Sequence, residues 1–142
     1  MYAVITRAAT ILFVYSPEHA QWTLPGGGLE FGEDPVDGVS REVGEETGYN
    51  IHVDQLLGTF VTSYPRGLNS TTHPVEVLRL IYQATILDGE LTHEIAGSTS
   101  QARWFPIADI PTLDVHPIVE PAFRLFRDKP ADGRIPTDPS VR

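Results

Sequence analysis

Hydrophobic runs bounded by polar, glycine or proline residues recur along the chain and predict β-strands. They are rich in β-branched and aromatic residues, which suit a pleated, half-buried surface. The predicted strands cover residues 11–15, 22–24, 56–61, 75–86 and 102–105. In the longest of them, Leu78, Leu80 and Tyr82 share one face by their alternation. The pattern therefore predicts a sheet of several strands.

Two segments carry helix signals instead. The first helix is predicted to begin after Asp34, a good N-cap, with Pro35 at its first position, and to end at Gly48. The second covers residues 117–128, where Ile118, Ala122, Leu125 and Phe126 recur at helical spacing. Its Pro121 must lie in or near the first turn, or the helix begins there, because proline breaks the interior of a helix.

Composition predicts one domain over residues 1–128. A chain of 142 residues with 41% apolar content can bury a single core. Residues 62–74 form a long polar segment that predicts a loop, and loops of that length often carry function. Residues 129–142 contain three prolines and few apolar side chains, so we predict a flexible C-terminal tail.

The formal net charge of −9 restricts the partners. An acidic chain repels a phosphate backbone, so we expect no binding to long nucleic acids. There is no cysteine, which excludes disulfides and thiolate metal sites. The apolar opening is too short and too interrupted to be a membrane anchor or a signal peptide. The cytoplasm is therefore the expected location.

The negative charge is concentrated in residues 26–50. Seven carboxylates and one arginine there account for six of the nine net negative charges. On the predicted helix, Glu42, Glu45 and Glu46 stand at i, i+3 and i+4, where like charges repel one another. A divalent cation would explain the cluster, because Mg²⁺ binds carboxylate oxygens, waters and substrate phosphates.

Three glycines, Gly26 to Gly28, precede this helix. They allow the backbone to turn tightly and bring its carbonyl and N–H groups close to a metal ion or a phosphate. The segment "GGGLEFGED" has neither the Gly-Lys-Ser/Thr of a P-loop nor the glycine spacing of a dinucleotide-binding loop. Both of those nucleotide-binding motifs are therefore excluded here.

The spacing of the charged and glycine positions over residues 27–49 resembles the Nudix box, the signature of the Nudix (MutT-like) hydrolases. Its fixed positions are Gly27, Glu33, Arg41-Glu42-Val43, Glu45-Glu46, Gly48 and Tyr49. The segments "WTLPGGG" and "ARWFPIADIP" are also typical of the family. Tyr49 departs from the pattern, since the family usually has an aliphatic residue there, and so does Gly38, where alanine is common.

The resemblance implies a fold and an activity. It implies an α/β fold, the Nudix α/β/α sandwich, with a central mixed sheet and two main helices. It also implies hydrolysis of a pyrophosphate bond in a nucleoside diphosphate joined to another group, with Mg²⁺ or Mn²⁺ as cofactor. By position in the box, Glu42, Glu45, Glu46 and the Gly27 carbonyl would be metal ligands. Glu33 and Arg41 would fix the loop against the helix and orient Glu42.

Residues outside the box are expected to complete the site. Family members take the general base either from the box helix or from a later loop, where Glu94 is the candidate. Tyr64, Pro65 and Arg66 are candidates for substrate contact, and turn formation is the alternative explanation for them. Tyr64 matches a marker of diadenosine polyphosphate hydrolases and Pro65 a marker of ADP-ribose hydrolases, so nucleoside triphosphates, ADP-ribose and other nucleotide derivatives all stay open as substrates.

Two further points follow from the resemblance. Many family members form homodimers, although no apolar stripe in this sequence identifies the surface. Some Nudix domains bind or sense a nucleotide without turnover, and this is the alternative to an enzyme. The intact acidic set favours the enzyme.

Overall fold

The structure, a computed structural model, describes residues 1–67, 72–93, 97 and 99–135. Its strands are β1 (Tyr2–Arg7), β2 (Thr10–Ser16), β3 (Gln21–Thr23), β4 (Tyr49–Tyr64), β5 (Val75–Gly89) and β6 (Gln101–Pro106). Its helices are α1 (Pro35–Thr47) and α2 (Val119–Asp128), with a 3₁₀ helix at Ile107–Thr112. The five predicted strands and both predicted helices are therefore present among these elements.

The strands form a mixed sheet in the order β3-β2-β1-β5-β4, with β6 paired to β2. β1 and β5 are parallel, and the other pairs are antiparallel. One hydrophobic cluster contains Val39 and Val43 of α1, and the other contains Val119, Ala122 and Leu125 of α2. Successive residues of β1 alternate between the two clusters, as the pleat requires. The α/β/α architecture with a mixed sheet is confirmed.

The ends of α1 agree with the local signals. The Asp34 side chain accepts a hydrogen bond of 2.8 Å from the Val36 N–H, and Pro35 begins the helix. Gly48 ends it with a left-handed φ of 77°, and its N–H donates to the Gly44 carbonyl. Since the helix begins and ends at fixed residues, the positions of its carboxylates around the axis are also fixed.

The sequence pattern missed one strand and shortened another. β1 was not predicted, because the hairpin that joins it to β2 turns at Ala8, a non-glycine residue with φ of 52°. The predicted strand 56–61 is the middle of β4, whose first half contains irregular register steps opposite β5. The predicted loop 62–74 begins only after β4 ends at Tyr64.

Part of the predicted tail contacts the domain. The Thr59 N–H donates a hydrogen bond of 3.1 Å to the Gly133 carbonyl, and Ile135 packs against the cluster that contains α2. Residues 136–142 lie outside the described residues. The division of the chain at residue 128 stays a prediction.

Candidate functional site

The box carboxylates lie on the side of α1 next to the glycine loop. Val39 and Val43 are buried in the core, which directs the adjacent stripe of the helix toward residues 26–28. Along this stripe burial varies: Glu46 is 2% exposed, while the side chains of Glu42 and Glu45 are 15% and 51% exposed. Glu46 therefore lies in the protein interior, Glu42 is partly buried and Glu45 lies at the surface.

Arg41 connects these carboxylates to the loop. Its guanidinium binds both oxygens of Glu33, with Nε–Oε1 at 2.8 Å and Nη2–Oε2 at 3.0 Å. Nη1 donates to Glu42 at 3.0 Å and to Glu45 at 3.3 Å, and Nη2 also reaches the Gly28 carbonyl at 3.3 Å. These contacts join the loop to the helix, and the role of Arg41 in orienting Glu42 for catalysis stays a prediction.

The same contacts change the acidity of Glu33. Its hydrogen bonds with Arg41 and with the Glu30 N–H lower the pKa of the carboxyl from 4.5 to about 2. The pKa of the Arg41 guanidinium is raised, mainly by its hydrogen bonds with Glu33. The pair therefore remains charged across the physiological range.

The glycine loop approaches the helix closely at two residues. The Gly26 N–H donates a hydrogen bond of 2.8 Å to Glu46 Oε2. A Cβ atom on Gly27 would lie 2.6 Å from Oε1 of Glu42, so only glycine fits without displacing that carboxylate. The Gly27 carbonyl accepts a hydrogen bond of 2.8 Å from the Met1 amino nitrogen.

Gly38 provides a second place where loop and helix meet. A Cβ there would lie 2.8 Å from Glu33 Oε2 and 3.0 Å from Leu29 Cδ2. The loop and the Met1 side chain, whose Cε would lie 2.8 Å from that Cβ, therefore pack against this glycine. Alanine, which is common in the family at this position, would require these neighbours to shift.

A cavity of about 410 Å³ opens beside the loop. Tyr2, residues 26–28 and Glu46 form one part of its wall, and Ser16, His19 and His116 form another. The two imidazole rings meet edge to face at 4.8 Å, and burial lowers the pKa of His116. Neither histidine is predicted from the sequence to belong to the site, because they come from separate segments and no local pattern links them.

The residues predicted outside the box are not all brought to this cavity. The Tyr64 hydroxyl accepts a hydrogen bond of 2.7 Å from Nη2 of Arg79, a residue that the sequence analysis did not select. Pro65 and Arg66 are exposed in the turn that follows β4. Glu94 lies outside the described residues. The proposed roles of these four residues stay predictions.

The donor atoms suit a hard divalent cation, which binds carboxylate and carbonyl oxygens. Among the described residues, no three acidic or histidine side chains are grouped so as to hold a metal ion. Nη1 of Arg41 lies between Glu42 and Glu45, so a positive charge already stands where these two carboxylates meet. The carboxylate chemistry of the site fits a divalent cation, whereas the structure groups Glu42 and Glu45 around the Arg41 guanidinium instead.

The sandwich fold and the loop-helix site together define a Nudix domain. The chain matches the family model described as NUDIX domain over residues 1–127, and it belongs to the Nudix family. A NUDIX hydrolase from Nitrosomonas europaea has a similar fold, with a TM-score of 0.75, 24% identity, and 96% of this chain and 90% of that chain covered.

Two curated relatives carry more specific names. The chain is 31% identical to diphosphoinositol polyphosphate phosphohydrolase 3-alpha of Mus musculus, over 93% of this chain and 75% of that protein. It is 30% identical to ADP-ribose pyrophosphatase of Methanocaldococcus jannaschii, over 69% of this chain and 53% of that protein. It spans 37% to 65% of the length of several other curated bacterial relatives.

No helix in the part of the chain that the structure describes has the length and hydropathy needed to cross a membrane.

Proposed function

We propose that this Nudix protein hydrolyses the pyrophosphate linkage of a nucleoside diphosphate joined to another group, with Mg²⁺ or Mn²⁺ as cofactor. The observation that supports this most directly is the contact of the glycine loop with the box helix at the cavity wall. Gly27 lies against the Glu42 carboxylate, and Gly26 is hydrogen bonded to Glu46. A cavity of about 410 Å³ is within the size range of small-molecule sites.

The proposed roles follow from these contacts. Glu42, Glu45, Glu46 and the Gly27 carbonyl would hold the cation, which when bound supplies positive charge against the phosphates and the departing oxygen. Arg41 holds Glu42 in place through its contact at 3.0 Å. The general base is either a carboxylate of the box helix or Glu94.

The names of these two relatives point to different substrates, so they support a class of substrate and not one compound. One names ADP-ribose and the other a diphosphoinositol polyphosphate. The chain covers 53% of the ADP-ribose pyrophosphatase, so the substrates of these relatives are only proposed for this chain. We propose a small nucleotide derivative, with ADP-ribose tested first. Three points remain predictions. The charge predicts no binding to long nucleic acids, the sequence predicts a cytoplasmic location, and the family resemblance allows a homodimer.

Comparing the wild type with Glu46→Gln tests the proposal. Glutamine keeps an acceptor for the Gly26 N–H but removes the negative charge, so the fold should survive while turnover is lost. Both proteins are incubated with Mg²⁺ and ADP-ribose, sugar nucleotides, dinucleoside polyphosphates, or normal and oxidised nucleoside triphosphates, and the products are separated by ion exchange. Glu120→Gln, an exposed acid on α2, is the matched control.

We expect the wild type and Glu120→Gln to cleave one substrate class and Glu46→Gln to lose at least about 100-fold in rate. Equal rates in Glu46→Gln and the wild type would contradict the assigned site. Metal-dependent nucleotide binding with no turnover of any compound would instead support the alternative, a nucleotide-sensing Nudix domain.

A further inference from the structure

Arg79 of β5 is held by neutral oxygens. Its Nη2 donates to the Tyr64 hydroxyl at 2.7 Å, its Nη1 to the Tyr2 hydroxyl at 3.3 Å, and its Nε to the Thr62 hydroxyl at 3.3 Å. The guanidinium also lies over the Tyr2 ring, 5.7 Å from its centroid. These contacts fix the orientation of the side chain without neutralising its charge.

The contrast with Arg41 makes this arrangement informative. Within 4.0 Å, Arg41 has carboxylate oxygens of Glu33, Glu42 and Glu45. Among the described residues, Arg79 has no acidic side chain within that distance, although it is half-buried. A guanidinium has five N–H donors, and the described residues accept hydrogen bonds from three of those of Arg79, so two are not used by the described part of the chain.

Arg79 is connected to the cavity through Tyr2. Tyr2, to which it is hydrogen bonded, lines the cavity and forms a backbone bridge with Gly26 of the glycine loop. Burial lowers the pKa of His116 on the cavity wall, and the charges of His19 and then of Arg79 lower it further. The positive charge therefore acts on the same space that the glycine loop and Glu46 border.

We propose that Arg79 is a phosphate-binding residue of this cavity, which takes an oxygen of the substrate's diphosphate through its two remaining N–H groups, while Tyr64 positions the guanidinium. This proposal rests on the proposed function for the identity of the ligand. Phosphate fits the site because a guanidinium donates two parallel hydrogen bonds to phosphate oxygens.

The test measures binding without turnover. The probes are α,β-methylene-ADP, whose P–C–P bridge resists hydrolysis, and adenosine, which lacks the phosphates. Their Kd values are measured by calorimetry with Mg²⁺ for the wild type, Arg79→Gln and Arg79→Lys. Arg127→Gln is the matched control, because it removes an arginine at the end of α2 that pairs with Asp128.

We expect Arg79→Gln to weaken methylene-ADP binding by about 10- to 100-fold, the range for a charge-assisted hydrogen bond, and to leave adenosine binding unchanged. Arg79→Lys keeps the charge but loses the two-donor geometry, so its loss should be smaller. The control should match the wild type. Unchanged methylene-ADP binding in Arg79→Gln, or equal losses for both probes, would overturn the phosphate-binding role.

Tyr64→Phe separates positioning from binding. It removes only the hydroxyl that accepts from Arg79, so we expect a smaller loss of methylene-ADP binding, and no further loss when it is added to Arg79→Gln. Additive losses would overturn the positioning role. A wild type that hydrolyses a nucleotide while the Arg79 variants bind the probe normally would retain the proposed function and overturn only the Arg79 proposal. A wild type that neither cleaves nucleotides nor binds the probe would overturn both.

Discussion

Replacing Gly27 with alanine tests the contact between the glycine loop and Glu42. The added Cβ would lie 2.6 Å from the Cδ and Oε1 atoms of Glu42 and 2.8 Å from Oε2. Ordinary van der Waals contact begins near 3.4 Å, so the carboxylate must retreat by about 0.8 Å. Gly27 is not among the glycines with positive φ, so the backbone itself accepts alanine. The perturbation is therefore confined to the carboxylate.

The two consequences differ greatly in size. Moving the end of one side chain away from its preferred rotamer costs about 1 kcal/mol of folding free energy. The same movement lengthens the 3.0 Å contact of Glu42 with Arg41 beyond hydrogen-bonding distance and displaces a predicted metal ligand. A misplacement of about 1 Å in a catalytic site can cost about 100-fold in rate. We therefore expect the activity of Gly27→Ala to fall by about 100-fold, while the stability of the fold changes little.

Gly28→Ala is the matched control, because a Cβ there has no atom within 4 Å. The two variants are compared by kcat/KM on the substrate identified above, by Mn²⁺ affinity, and by thermal unfolding. Gly27→Ala should lose activity and metal affinity at nearly wild-type Tm, while Gly28→Ala, whose Cβ meets no carboxylate, keeps wild-type metal affinity and Tm. Equal metal affinity in the two variants would refute the reasoning, and so would a loss of activity in Gly27→Ala that is accompanied by global unfolding.

Three stability predictions follow from the same region. The pKa of Glu33 is about 2 in the folded protein and ordinarily 4.5, so its pairing with Arg41 stabilises the fold above pH 4.5, and this contribution is lost as the pH falls toward 2. Glu33→Gln should therefore show a smaller change of Tm with pH between 4.5 and 2 than the wild type shows. The same slope in both proteins would contradict the pairing. Gly48→Ala should lower the free energy of unfolding, measured in urea, by at least about 1 kcal/mol. The reason is that Gly48 has a φ of 77° and that the new Cβ would lie 2.4 Å from the Glu90 carbonyl oxygen. An unchanged free energy of unfolding would contradict this geometry. Asp34→Ala removes the N-cap hydrogen bond and should cost about 1 kcal/mol by the same assay, whereas no loss would mean that the cap is dispensable.

The parts of the fold that the sequence predicts well are those set by local interactions. α1 begins and ends where Asp34, Pro35 and Gly48 indicate, because capping involves only neighbouring residues. β1 was missed because its hairpin turns at Ala8 and lacks the Asn-Gly or Asp-Gly signal of a tight turn. The start of β4 was missed because register shifts after Asn50 and Val53 interrupt its alternation.

The candidate site also contains some residues that local sequence patterns identify and others that they do not. The box spacing identifies Arg41 and its acids because they share one helix and the loop before it. The meeting of His19 with His116 requires the whole chain to fold, since 96 residues separate them in the sequence. The same holds for Arg79, whose partners Tyr2 and Tyr64 come from two other strands. No periodicity within one segment encodes such a contact.

Under the proposed function, the two arginines would have different parts in the binding of a phosphate ligand by an acidic protein. Residues 26–50 carry six of the nine net negative charges, and Glu46 of this segment lines the cavity, so phosphate is repelled there unless cations neutralise the charge. Arg41 contributes little toward a ligand, because its charge is already shared among three carboxylates. Arg79 has only neutral partners among the described residues, so its field acts on whatever enters the cavity. A ligand that satisfies both sides must combine an anionic group for Arg79 with oxygens that a divalent cation can bind, and a diphosphate meets both requirements.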